Sequence, residues 1–114
     1  MRMSDRAPYE AFPDRPKLTL PGGARVAVWT VVNLEVWDIA RAMPRTVLTP
    51  PMGLPQLPDV PNWAWHEYGN RVGAWRCLEL FDSLCLPAAA LINTALYDHC
   101  PELVAAFVAR GDEL

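Results

Sequence analysis

The stretch RVAVWTVVNLE, residues 25–35, decides the fold reading. Val26 to Val32 is almost continuously apolar and rich in β-branched side chains, which predicts a strand buried on both faces, as in a parallel sheet. Pro21, Gly22 and Gly23 supply the turn that delivers it. The run closes on Asn33 and Glu35, two residues apart and so on the same side of an extended chain. Ligands of parallel α/β folds bind beyond the carboxyl ends of the strands, which makes this pair the first candidate for catalysis. A carboxylate there can act as general base or hold a metal, and an amide can orient a carbonyl or a water. The competing reading of Glu35 is a solvated residue at a strand end.

Outward from this strand the chain is rich in proline. Ten of the twelve prolines lie in residues 8–61, in two clusters that flank the apolar run. Proline fixes φ and removes a donor, so both clusters read as extended, non-helical segments. Tyr9, Phe12, Leu18, Leu20, Leu48, Met52, Leu54 and Leu57 are the apolar anchors that would make them packed loops rather than linkers.

From Asn70 the period changes. Ala74, Cys77, Leu78, Phe81, Leu84 and Cys85 fall on one face of a helix, with Asn70 as N-cap and Pro87 as stop. AAALIN, residues 88–93, is a second short strand, and it delivers Asn93 to the same end of the sheet as Asn33 and Glu35. Leu96, Cys100, Leu103, Val104, Phe107 and Val108 mark a second helical face, with Pro101 in the first turn and Gly111 as the C-terminal stop. Strand, long loop, helix, strand, helix is a βαβα piece of a parallel sheet. The expected division is a proline-rich segment over residues 1–24 and an α/β unit over residues 25–114. Two strands leave sheet edges and faces uncovered, so the chain reads as an amino-terminal portion, or as a module that is stable as a homo-oligomer or with a partner.

Composition narrows the function. With 114 residues, a net charge of −3 and 20% charged residues, the chain is one domain in length and offers no basic footprint for nucleic acid. Polar residues after Met1 and the lack of an apolar run of spanning length argue against a signal peptide and a membrane segment, which points to the cytoplasm. Cys77, Cys85 and Cys100 are an odd count without CxxC spacing, and nothing in their spacing with His66 or His99 resembles a zinc site.

HEYGNRVGAWR, residues 66–76, is the remaining candidate. Asn70, Arg71 and Arg76 read as a helix cap with surface pairs, Glu67 with Arg71 four residues on, and as a segment at the amino end of the strands. Tyr68 and Arg71 are the alternative, as supporting substrate contacts.

Taken in order, LPGGARVAVWTVVNLE, EYGNRVGAWR and PELVAAFVARGDEL resemble the amino-terminal part of polysaccharide deacetylase-like proteins of the chitooligosaccharide deacetylase superfamily. The branch with cofactor-independent allantoinases and peptidoglycan deacetylase-like proteins is the most similar, and the resemblance covers about residues 16–114. It implies a distorted (β/α) barrel and hydrolysis of a carbon–nitrogen bond, in an N-acetyl group or a cyclic amide, with a small-molecule or carbohydrate amide as substrate. In metal-dependent members an acid at the end of the first strand joins two histidines of a later HGxxxH-type motif to hold zinc or a similar divalent ion. Glu35 stands at the position of that acid, and Asn33 stands where many members carry a basic Asp. Asp112 stands where a His is common, and His66 and His99 match neither metal histidine. The resemblance therefore implies that this chain holds at most one metal ligand and is inactive alone.

Overall fold

The computed structural model describes residues 6–114, so the polar start of the chain lies in part outside the described residues. β1 (Thr30–Leu34) and β2 (Ala88–Ile92) form a two-stranded parallel sheet, with Thr30 opposite Ala88 and Leu34 opposite Ile92. Between them run α1 (Val60–Tyr68), a π-turn over Gly69–Gly73 and α2 (Ala74–Ser83). α3 (Leu96–His99) and α4 (Pro101–Arg110) follow β2. The molecule is mixed α/β. Beyond α4 the chain reaches the other edge of β2, where Glu113 bridges Ala89 in parallel and its carbonyl accepts from the Ala90 amide at 2.7 Å.

One face of this sheet is covered. Leu34 and Ala90 pack with Ala74 and Leu78 of α2, with Leu96, and with Leu103, Val104 and Phe107 of α4, all of them buried. The apolar positions of α2 and α4 fall three and four residues apart, so each helix turns one stripe to the strands. Gly111 then ends α4 in the left-handed region at φ +78°, where a Cβ would be strained, and Pro101 opens the helix as expected.

The opposite face is open, which corrects the reading of residues 25–35. Regular pairing begins only at Thr30, and burial alternates along β1. Val26 and Val28 are exposed, Val31 is 43% exposed and Leu91 63%. A continuous apolar run is ambiguous about which face is covered, and the described residues supply one layer of helices to cover it.

The crossover helix also begins earlier than the period from Asn70 indicates. Asp59 is the N-cap, its side chain accepting from the Asn62 amide, and Pro61 occupies the first turn. Asn70 lies inside the π-turn, buried, rather than at a helix start. The apolar stripe of α1 is short, so periodicity passed over it. Cys85 lies beyond α2, at φ +50° and exposed, and not on its apolar face.

The proline-rich clusters do not pack. Tyr9, Phe12, Leu18 and Met52 are more than four-fifths exposed, and the radius of gyration is 19.5 Å, against about 13 Å for a compact chain of this size. One polar residue ties the second cluster down. Buried Asn62 accepts from the Val47 and Leu48 amides at 2.7 Å each, and donates to the Leu48 carbonyl at 3.0 Å and to Asp59 at 2.9 Å. Asn62→Ala is expected to lower the unfolding free energy by about 2 kcal/mol, because four polar groups lose a shielded partner. Urea unfolding checks it; a change within about 0.5 kcal/mol would mean that water replaces the amide at no cost. No described helix is long and apolar enough to cross a membrane.

Candidate functional site

The carboxyl end of β1 is where the unexpected contacts gather. The Glu35 carbonyl accepts two hydrogen bonds from the crossover helix, from Asn70 Nδ2 and from His66 Nε2, both at 2.7 Å. A carbonyl cannot donate, so Nε2 of His66 carries the hydrogen, and Nδ1 is an acceptor when the ring is neutral. HEYGNR therefore lies at the carboxyl end of β1, not at the amino end, because α1 starts early enough to pass the strand end on its way to α2. His66 and Asn70 are four residues apart, which puts both on the helix face turned to that end.

The Glu35 side chain accepts from the indole N–H of Trp37 at 2.8 Å. Trp37 is buried and stacks on the His66 ring, with centroids 3.9 Å apart and planes 1° from parallel. Trp63 donates to the Trp37 carbonyl at 3.1 Å, which fixes the segment after β1 against α1. The carboxylate is thus held by one donor and a rigid stack, with its remaining lone pairs free for a ligand. It lines an open concavity of about 380 Å³ together with Asn33, Trp37, Arg45, Trp65 and His66. Asn33 and Glu35 also line a second concavity on the open sheet face, with Leu91 and Asn93. The two candidates read from the strand end are brought together as their spacing required.

The other candidates are placed differently. Asn93 spends its amide on the Val36 backbone, accepting from the Val36 N–H and donating to its carbonyl, both at 3.3 Å. It prolongs the pairing of β1 with β2 by one residue in the manner of a strand and anchors the segment that carries Glu35. Tyr68 is half exposed and its hydroxyl accepts from Arg76 at 2.9 Å. The long loop is tied to α1 through Asn62 and the segment after β1 through Trp63, while Trp75 is 38% exposed.

Arg71 pairs with Glu67 at 2.9 Å, as the four-residue spacing predicts. The pair is more than a surface contact, because Glu67 is buried and His99 Nε2 approaches both of its oxygens at 3.0 and 3.1 Å. Burial pushes the Glu67 carboxyl up, but the hydrogen bonds and charges of His99 and Arg71 outweigh it and hold the group below the ordinary carboxylate range. Burial, with Glu67 nearby, pushes the Cys100 thiol up, away from nucleophilic use. A carboxyl depressed by folding stabilises above its unfolded pKa and loses that contribution as pH falls through the folded one. Stability is therefore expected to fall from about pH 5 downward, and Glu67→Gln to flatten that limb. Thermal unfolding across this range checks it, and an unchanged acid limb in the variant would assign the loss to other groups.

Asp112 lies at the far end of β2. It accepts from the Ala88 amide at 3.0 Å and from Arg110 at 2.7 Å, while Arg110 also reaches Asp82 and the Leu86 carbonyl. This clamp ties the ends of α2 and α4 to the amino end of β2, away from Glu35.

Sequence reasoning missed His66, Trp37 and His99. The only signal for His66 was its place four residues before Asn70; nothing local joins His99 to Glu67. As a metal site the donor set falls short. Glu35 offers one carboxylate, His66 Nε2 is committed to a carbonyl and His99 to Glu67, and no group of three ligating side chains gathers among the described residues. The divalent ion implied by the resemblance does not fit these residues alone. No family model, characterised protein or solved structure matches this chain.

Proposed function

We propose that the chain is the amino-terminal βαβα part of a distorted (β/α) barrel of the polysaccharide deacetylase type, and that it presents Glu35 and Asn33 to the substrate of a carbon–nitrogen hydrolase. The observation that carries this reading is the meeting of both residues with His66 and Trp37 on one open concavity at the carboxyl end of a parallel strand. Support comes from the strand order as well. β1, β2 and the Glu113 bridge follow one another in parallel, the sequence of neighbours that a (β/α) barrel repeats.

The substrate of this reading is an N-acetyl group on a carbohydrate or a small cyclic amide. Glu35 accepts the proton of the attacking water, which neutral Asn33 cannot do, and passes it to the departing nitrogen as the carbon–nitrogen bond breaks. Asn33 donates its amide to the carbonyl oxygen as that oxygen gains charge. Trp37 and His66 keep the carboxylate in place, which lowers the reorganisation needed on attack. Any divalent ion requires further ligands from outside the described residues, and no step is routed through one. The chain alone is expected to be silent.

A second reading is a non-catalytic interaction module. It is favoured by the open sheet face and the exposed Val31 and Leu91.

The experiment compares this chain with the product of its complete reading frame, with and without added zinc. Acetate release from N-acetylchitooligosaccharides and ring opening of allantoin are followed. Turnover by the longer product and none by the chain supports the hydrolase reading. No turnover in either form removes it and leaves the interaction module.

A further inference from the structure

The free edge of β1 carries the chemistry of a contact between two copies of this chain. Among the described residues, β1 pairs with a strand along one edge, with β2. The Leu34 carbonyl accepts from the Asn93 amide on the β2 side. In an extended strand the N–H and C=O of successive residues alternate in direction, so those of Val31 and Asn33 point to the other edge. The Glu35 carbonyl fits that alternation, since it turns away from β2 to His66 and Asn70. No described strand pairs with the edge at Val31 and Asn33, and an unpaired edge is a template for another strand.

The sequence across this edge is complementary to itself. Antiparallel pairing of two copies about Thr30 sets Trp29 opposite Val31, Val28 opposite Val32, Val26 opposite Leu34 and Arg25 opposite Glu35. Opposite charges thus close both ends, and β-branched and aromatic residues face one another between them, the pairs that stabilise antiparallel strands. Val26, Val28 and Trp29 are 72, 84 and 75% exposed in the single chain, an apolar run just ahead of β1 that pairs with no described strand.

A groove lies beside that edge. It has a volume of about 440 Å³ and an apolar lining that includes Val32, Leu34, Trp65, Ala74 and Cys77. β1 is the only strand that contributes to it, so it lies on the side of β1 away from β2. In that pairing Val26 and Val28 of a second copy, set opposite Leu34 and Val32, would project on the same face as those residues, toward the groove. The ladder itself stops at Asn33, because the Glu35 carbonyl is already taken, and the Arg25 to Glu35 contact is made by side chains alone.

We propose that two copies of this chain associate through an isologous antiparallel pairing of residues 25–35 centred on Thr30, which joins their sheets in the order β2, β1, β1, β2. Charge complementarity selects the second copy over an unrelated strand, since only the pairing about Thr30 forms both Arg25 to Glu35 contacts. The proposal does not rest on the hydrolase reading. A closing strand from a longer protein would compete for the same edge, and turnover and association are measured separately.

The test is sedimentation equilibrium of this chain, from about 1 to 100 μM. A dimer is expected. Arg25→Glu and Glu35→Arg should each raise its Kd at least about tenfold, and the double charge swap should return it to within about threefold. In a Cys85→Ser background, Thr30→Cys should form a disulfide-linked dimer, since Thr30 faces itself across a non-hydrogen-bonded pair with Cα atoms about 4.5 Å apart. Val32→Cys, whose two copies would lie ~14 Å apart, should not. A monomer at the highest concentration, a double swap that fails to restore the dimer, or a Thr30→Cys protein that stays unlinked would overturn the proposal.

Discussion

Glu35→Gln, made in the product of the complete reading frame, is expected to lower kcat/KM for amide hydrolysis by about 100-fold or more. The amide keeps the shape of the carboxylate and an oxygen for the Trp37 indole N–H, so the stack of Trp37 on His66 persists. What is lost is the carboxylate that takes the proton from water, a task that neutral Asn33 beside it cannot perform. Folding is a separate measurement. The unfolding free energy should change by less than about 0.5 kcal/mol, since a partly buried side chain is exchanged for a neutral isostere that retains its hydrogen bond to Trp37. Turnover that survives the substitution would leave Glu35 only the structural task of holding Trp37, and would pass the proton to another residue.

Phe107→Ala is expected to cost about 3–5 kcal/mol of stability. Phe107 is 0% exposed, and it sits where α4 meets α2 and the covered sheet face. Two strands and a single layer of helices form a small core, so one aromatic ring is a large part of it. A loss of this size approaches the entire stability of many domains. The carbonyl of the same residue accepts from the Asp112 amide at 3.2 Å. Loosening α4 therefore also frees the clamp of Asp112 and Arg110 on the amino end of β2. Denaturant unfolding measures the first effect, and hydrogen exchange at the Ala88 amide measures the second. A loss under about 1 kcal/mol would mean that the helix repacks over the cavity.

Much of the architecture was legible from residues close together in the chain. The apolar stripes Ala74, Leu78 and Phe81 of α2 and Leu103, Val104 and Phe107 of α4, the roles of Pro101 and Gly111, the order of strands and helices and the pairing of Glu67 with Arg71 follow from spacing and local backbone chemistry. Leu84, Cys85 and Val108, read onto the same faces, are exposed. Asn33 and Glu35 reach the same concavity because a strand alternates with period two. Exposure was the weakest inference. The run from Val26 to Val32 reads as buried on both faces, yet burial depends on how many layers other elements supply, and the described residues supply one. The proline clusters fail in the same way: Tyr9, Phe12 and Met52 can pack, but no described residues are placed to bury them.

The remainder of the site is made of contacts between distant residues, and no local pattern encodes them. His66 meets Glu35 across 31 positions and His99 meets Glu67 across 32. Both depend on the early start of α1 at Asp59 and on the π-turn at Gly69–Gly73, which together set how far the crossover helix travels before its face turns to β1. The sequence by itself determined the parallel α/β alternation and the two polar residues at the end of β1, because both are properties of periodicity and turn chemistry. Only the tertiary structure decided which side chains surround Glu35 and which sheet face and edge stay open, because burial and long-range hydrogen bonds exist only after the helices have docked.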